Sequence, residues 1–172
     1  MELTEENVTD TVAAAEQALQ QFDKKKLEKY VDSKTLSTIL GFAKGHSQFD
    51  ALGKAIFENL SISIKEIDTD AKTVTVAVKN KELYDTAYEF ARDLRDRYTN
   101  IQLLNKLSDD AFLDASLGDL TAQIAQAPMR EEEQEVVLTV TQGKRNLVLS
   151  FDDAAEDAVS GGALSAIQSI TG

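Results

Sequence analysis

The sequence predicts an α+β fold in which N-terminal helices pack on an antiparallel sheet built from two hairpins, with a helical insert between them. Apolar and polar residues alternate over residues 60–79 and, more weakly, over residues 133–151, as they do in half-buried strands. Most of the remaining chain repeats apolar residues every three or four positions, as amphipathic helices do. Strand pairs separated by helices indicate an α+β fold, because a parallel α/β sheet alternates single strands with helices.

The 172 residues are expected to form one domain, 1–172, because a chain of this length buries a single core. The patterning divides it, in chain order, into helices over 3–59, a hairpin over 60–79, helices over 81–127, a hairpin over 133–151 and a C-terminal helix or tail over 152–172. No linker rich in proline, glycine and serine interrupts this order, so no domain boundary is predicted within the chain.

Short polar side chains mark the helix starts, since Ser, Thr and Asp accept hydrogen bonds from the unpaired N–H groups of a first turn. The predicted N-caps are Thr4, Ser33, Ser47, Ser108 and Asp152. Pro128, the only proline, is predicted to end the helical insert near Ala127, because the residue before a proline disfavours helix. Gly161 and Gly162 are predicted to end the helix that Asp152 begins.

The two hairpins differ in how their apolar residues are distributed. Six aliphatic residues give the first hairpin one apolar face: Leu60, Ile62, Ile64, Val74, Val76 and Val78. The alternation slips between Ile64 and Ile67, which predicts a β-bulge or an early turn there. The second hairpin carries Val137 and Val148 on its other face, so both of its faces are apolar and a central place in the sheet is predicted.

The composition restricts the possible partners. A formal charge of −12 disfavours contact with nucleic acid and with anionic lipid. The absence of cysteine excludes disulfides, thiol nucleophiles and cysteine-ligated metal sites. The first residues lack the basic and apolar regions of a signal peptide, and no run of roughly 20 apolar residues is present. We therefore expect a soluble chain, with any export signal or anchor outside this sequence, and we expect it to be a monomer or a weak dimer.

No group of residues forms a recognisable catalytic or metal site. His46, the only histidine, lies in a predicted helix junction without an evident partner. Asp68 and Asp70 lack the spaced oxygen ligands of a calcium loop, so no metal and no cofactor is predicted. Tyr84 and Tyr88, with Asp85 between them, are one helical turn apart beside an apolar stripe, and they are either ligand-binding residues or ordinary rim residues.

The second face of the first hairpin supplies the other candidate ligand-binding residues. Ser61, Ser63 and Thr75 are small and polar, and together they are suited to line a shallow groove. The simpler interpretation is an ordinary solvent face, because antiparallel sheets commonly keep one side in contact with water.

Three segments carry a resemblance to a known family. Residues 22–32 (FDKKKLEKYVD), the strand pair within 60–78 and residues 151–162 (FDDAAEDAVSGG) resemble NTF2-like (cystatin-like) domains of Gram-positive secreted lipoproteins. The resemblance implies a curved sheet wrapped round the N-terminal helices, often with a cavity, together with export and a lipid anchor. It carries no catalytic motif and so assigns no site residue.

The leading hypothesis is therefore a non-catalytic, extracellular binding or interaction domain of a bacterial surface lipoprotein, with an unidentified small molecule or protein as its ligand. One alternative is an NTF2-like cavity enzyme that uses Tyr, Asp or His as acid and base. A further alternative is a cytosolic helical adaptor that pairs through the apolar stripe of residues 8–22.

Overall fold

The structure, a computed structural model, describes residues 1–171, apart from the side chains at positions 167, 168, 170 and 171. The predicted C-terminal helix or tail extends to Gly172, which lies outside the described residues. Within this part of the chain the fold is α+β, as predicted, with nine helices and five strands. In chain order these are α1 (Glu5–Gln21), α2 (Lys24–Tyr30), β1 (Val31–Asp32), α3 (Lys34–Ala43), α4 (Gln48–Phe57), β2 (Ser61–Asp68), β3 (Thr73–Lys79), α5 (Tyr84–Arg97), α6 (Asn100–Lys106), α7 (Asp110–Gln126), β4 (Gln134–Gln142), β5 (Leu147–Ser150), α8 (Asp153–Val159) and α9 (Ala163–Thr171).

The five described strands form one sheet in the order β1-β5-β4-β3-β2. Both predicted hairpins are present and pair antiparallel, β2 with β3 and β4 with β5. The predicted irregularity is confirmed as a register shift between Ile64 and Glu66. The sheet is mixed instead of wholly antiparallel, because Val31 and Asp32 pair parallel with β5. A strand of two residues is too short to show any alternation, so the sequence pattern did not reveal it.

The second hairpin is placed only partly as predicted. Its strand β4 lies at the centre of the sheet, between β3 and β5. Val137, however, is 51% exposed, so the apolar second face is not covered by another layer. The core face of β4 is the one that carries Leu138 and Val140, both of which are buried.

The helix caps follow the sequence at most of the predicted positions. Thr4, Ser33 and Asp152 each accept a hydrogen bond from an N–H group of the helix that they begin. Ser47 precedes α4 without making a capping hydrogen bond, and Asp109 caps α7 in place of Ser108. At α7 the adjacent Asp109 takes the position predicted for Ser108, while Ser47 has helical backbone angles instead of the extended ones typical of a capping residue.

The helical insert contains one helix more than the apolar pattern suggests. Thr99 follows α5 and begins α6, in a capping box with Gln102. The apolar residues Ile101 and Leu104 of α6 are 73% and 66% exposed. A short helix without a buried face has no periodic signal, which explains why it was missed.

Buried apolar side chains of the described residues form three clusters. The largest joins α1, α2, α3 and α8 to one face of the sheet. A second joins α4, α5, α7 and α9, and a small third joins α7 to Ala43 and Phe49. The insert therefore packs as a helical layer of its own against α4 and α9, beyond the helices that cover the sheet.

Asn80 and Lys81, directly after β3, connect these layers. The Asn80 amide donates hydrogen bonds to the carbonyl of Ile56 at 2.9 Å and to the carbonyl of Val159 at 2.7 Å. The Lys81 ammonium donates to the carbonyls of Ile124 and Ala125, at the end of α7. Both side chains are buried, at 1% and 6% exposure. Because buried polar groups are costly unless they are paired, these bonds fix the position of each connected helix end.

Gly161 completes this junction. Its φ is +64°, and a Cβ built at this position would overlap the Lys81 carbonyl oxygen. Its own carbonyl accepts a hydrogen bond from the Leu83 N–H at 2.8 Å. Both the left-handed backbone and the close approach require a residue without a side chain.

Glu82 and Arg130 form an ion pair beside the junction, with Nε of Arg130 at 2.6 Å from Oε2 of Glu82. The hydrogen bond from Arg130 is the main reason that the pKa of Glu82 lies below its usual value of 4.5. The pair joins the start of α5 to the segment that leads into β4.

No helix in the described part of the chain combines the length and the apolar character that crossing a membrane requires.

We predict that Gly161→Ala lowers the free energy of unfolding by about 2–4 kcal/mol, because alanine is strained at positive φ and overlaps Lys81. The matched control is Gly118→Ala, in α7, where an added Cβ meets no atom within 4 Å. That change should raise stability by about 0.5–1 kcal/mol, because alanine favours helix over glycine. Urea unfolding measures both variants, and equal effects of the two would contradict the proposed junction.

We also predict that Glu82→Gln lowers stability mainly at neutral pH. A carboxyl whose pKa is lowered in the folded state stabilises it above its unfolded pKa, and this contribution disappears as the pH falls through the lowered value. Because the Glu82 side chain is 46% exposed, water screens the pair, and the neutral-pH loss should be at most about 1 kcal/mol. Urea unfolding from pH 7 to pH 3 should show the variant and the wild type converging in acid. The exposed Glu135→Gln is the control, and a constant difference at every pH would be the contrary result.

Candidate functional site

An internal cavity of about 220 Å³ lies where the three apolar clusters meet. Its wall is formed on one side by residues of α1, α3 and α8 and on the other by residues of α4, α5 and α7. Each lining residue is buried or half-buried. The clusters approach one another across this space without merging, so the cavity is the part of the core that side chains leave unfilled.

Helix α4 and the insert determine the shape of the cavity. Phe49, Leu52 and Ile56 project from α4, and Phe57 ends it. The ring of Phe57 stacks on that of Phe22, with centroids 6.3 Å apart. Gly53 keeps α4 close to α1, because a Cβ there would overlap the Phe22 ring. Across the cavity, α5 and α7 contribute aliphatic and aromatic side chains at helical spacing. Those of α5 are Ala87, Phe90 and Leu94, and those of α7 include Leu113, Leu117 and Leu120.

Three polar side chains, Ser33, Glu156 and Ser160, interrupt the apolar wall among the described residues. The Ser160 hydroxyl donates to the Asp157 carbonyl and accepts from the Leu164 N–H, both at 3.2 Å. The Ser33 hydroxyl donates to Oε2 of Glu156 at 2.6 Å and accepts from the Leu36 N–H. Each serine therefore already has hydrogen-bond partners within the protein.

Glu156 belongs to α8 and is 3% exposed. Its buried carboxylate lies at the start of α3. Its Oε2 accepts hydrogen bonds from the Ser33 hydroxyl and from the Thr35 N–H at 3.0 Å. The positive end of the α3 dipole and these two donors compensate the burial of the charge. The bond from Ser33 has the short length of a charge-assisted hydrogen bond.

The structure does not place the predicted ligand-binding residues at this cavity. Tyr84 and Tyr88 stack on each other with centroids 6.0 Å apart, while α5 presents Ala87 and its apolar neighbours to the cavity. Ser61 and Ser63 are exposed on the edge strand β2. Thr75, on β3, alternates with the core residues and belongs to the opposite face of the sheet. A role for these five residues in binding a ligand at the surface stays a prediction.

His46 has a partner that the sequence did not indicate. Its Nδ1 lies 3.0 Å from Oδ1 of Asp110, the first residue of α7. Beside it, the Gln48 amide donates to Oδ1 of Asp114. These contacts join the link between α3 and α4 to the start of α7, away from the cavity wall. The expectation that His46 lacks a partner was wrong, because Asp110 is its partner. This contact supports a structural role for His46 in joining that link to α7.

Sequence reasoning missed Glu156, the one ionisable side chain on the described cavity wall. A usable signal was present, because Glu156 lies three positions before Val159, on the buried face of α8. An acid on an apolar helical face needs a partner, and the predicted N-cap Ser33 is that partner. Only the fold brings residues so distant in sequence together. Within the described residues, no group of three or more metal-ligating side chains is arranged to hold a metal ion.

Comparison of the chain with protein-family models, with curated proteins and with solved structures finds no match. The cavity and the surrounding contacts are therefore the observations from which a function can be inferred.

Proposed function

We propose that this protein is a non-catalytic binding domain that holds a small apolar molecule in the cavity between its helical layers. The observation that carries the proposal is an internal space of about 220 Å³ with a wall of aliphatic and aromatic side chains. Apolar cavities of this size take up small hydrophobic molecules. Ligand sites in proteins are typically concave and mostly apolar, with few polar groups.

The cavity volume limits the size of the ligand. An apolar cavity of about 150 Å³ accommodates benzene, which has six carbon atoms. In proportion, a volume of 220 Å³ corresponds to a molecule of about nine carbon atoms. A ligand of this size gains most of its affinity from buried apolar surface, so binding in the micromolar to millimolar range is expected.

The polar groups of the cavity favour binding over catalysis. An enzyme requires a nucleophile or an acid–base group that is free to act on a substrate. Ser33 and Ser160 use their hydroxyl groups within the protein, and Glu156, which binds the start of α3 through Oε2, has no histidine, tyrosine or second acid beside it among the described lining residues. The alternative of a cavity enzyme based on Tyr84 or His46 loses its geometric basis, because neither residue lines the cavity.

The adaptor alternative is also weakened by burial. The apolar residues of the stripe over residues 8–22 are at most 5% exposed and pack in the core of their own chain: Val8, Val12, Ala15, Leu19 and Phe22. The stripe is therefore not available for pairing with another protein.

The cellular setting is proposed on the sequence resemblance alone. We propose an NTF2-like domain that acts outside the cell at a bacterial surface, with a lipid anchor outside this sequence. A gene in which a signal peptide and a lipobox cysteine precede this segment would support that setting, and a gene without them would contradict it.

The binding proposal is tested with n-propylbenzene, which has nine carbon atoms, in a titration followed by amide NMR. We expect saturable shifts at residues around the cavity and a higher melting temperature, because a ligand that binds only the folded state stabilises it. Ala87→Leu, which fills part of the cavity, should weaken binding at least fivefold. Ala122→Leu, the same change on the exposed side of α7, should leave binding unchanged. Shifts that do not saturate, or an equal loss in both variants, would refute the proposal.

A further inference from the structure

We infer that the cavity selects uncharged molecules over carboxylates and that Glu156 determines this selectivity. The ligand is then a neutral apolar molecule whose polar end, where it has one, is a hydrogen-bond donor such as a hydroxyl. The inference rests on the proposed function, because it specifies the chemistry of the molecule that the cavity holds.

The charge on the cavity wall disfavours a carboxylate ligand. Among the described residues, no lysine, arginine or histidine lines the cavity, and Glu156 carries the one ionisable group. A ligand carboxylate would lose its hydration without gaining a cation, and it would lie near a charge of the same sign. Fatty acids and other carboxylates of suitable length are therefore excluded although their chains fit.

In the described part of the chain, the hydrogen bonds of Glu156 involve one of its two carboxylate oxygens. The hydroxyl of Ser33 and the N–H of Thr35 both donate to Oε2. An ionised carboxyl group accepts hydrogen bonds on both oxygens. A ligand hydroxyl can donate to Oε1, whereas a ligand carboxylate has no proton to donate.

The N-cap of α3 forms without an acid at position 156. Helix α3 already has Ser33 as its N-cap, and the Ser33 oxygen accepts from the Leu36 N–H without help from Glu156. The carboxylate accepts two further bonds, from the Ser33 hydroxyl and the Thr35 N–H, at the cost of burying a charge. Because the serine cap forms without that charge, an acid at this position is consistent with a role in selecting the ligand.

The test compares octan-1-ol, methyl octanoate and octanoate at pH 7.5 by competition with n-propylbenzene. These ligands share chain length and differ in polar group and charge. In the wild type, octan-1-ol should bind at least tenfold more tightly than octanoate, and methyl octanoate, which is neutral but has no proton to donate, should have an affinity between the two. In Glu156→Gln, which keeps a side chain of the same size, the ratio of octan-1-ol to octanoate affinity should fall at least threefold. Glu135→Gln, the same change at an exposed position of β4, should leave the ratio unchanged.

The outcomes separate the two proposals. Equal binding of octan-1-ol and octanoate, or a ratio that Glu156→Gln leaves unchanged, overturns the selectivity while the cavity remains a binding site. Binding of n-propylbenzene but of none of the octyl ligands also overturns the selectivity. Failure of n-propylbenzene and all octyl ligands overturns the proposed function itself. If Glu156→Gln does not fold, the wild-type comparison of methyl octanoate with octanoate decides, and equal affinities reject the inference.

Discussion

The layers of this protein are held together by the buried hydrogen bonds of Asn80 and Lys81. They join the end of β3 to α4, to the end of α7 and to α8, while the Asn80 carbonyl accepts from the Arg130 N–H at 3.0 Å. Apolar packing alone leaves the relative position of two helical layers adjustable, because apolar contacts have no preferred direction. Buried polar groups remove that freedom, since any other arrangement leaves a donor or an acceptor unpaired.

This junction explains why a cavity persists in the core. The insert is fixed at one end by Lys81 and Gly161 and at the other by the contacts of His46 and Gln48 with the first turns of α7. Between these ends, α5 and α7 pack on α4 and α9 through the second and third apolar clusters, and their side chains leave a space against the sheet-side core unfilled. The space left beneath them is apolar except where Ser33, Glu156 and Ser160 meet it.

Features that depend on local periodicity could be predicted from the sequence. Features that depend on contacts between residues distant in sequence could not. The hairpins, the bulge after Ile64 and the caps at Thr4, Ser33 and Asp152 each follow from a few neighbouring residues. Strand β1 and helix α6 are too short or too exposed to leave a pattern. The residues that enclose the cavity could not be predicted, because they belong to separate helices whose spacing depends on the whole fold. The candidate residues Tyr84, Tyr88, Ser61, Ser63 and Thr75 were chosen from local polarity, which does not report which surfaces enclose a space.

The proposed function depends on a largely apolar cavity that the side chains leave unfilled in the folded protein. A crystal structure determined under xenon pressure would reveal this cavity directly, because xenon enters apolar cavities and scatters strongly. We expect xenon density between α4, α5 and α7, in contact with Leu113 and Leu117. A core in which the side chains of the insert close the space, without xenon density, would contradict the presence of the cavity.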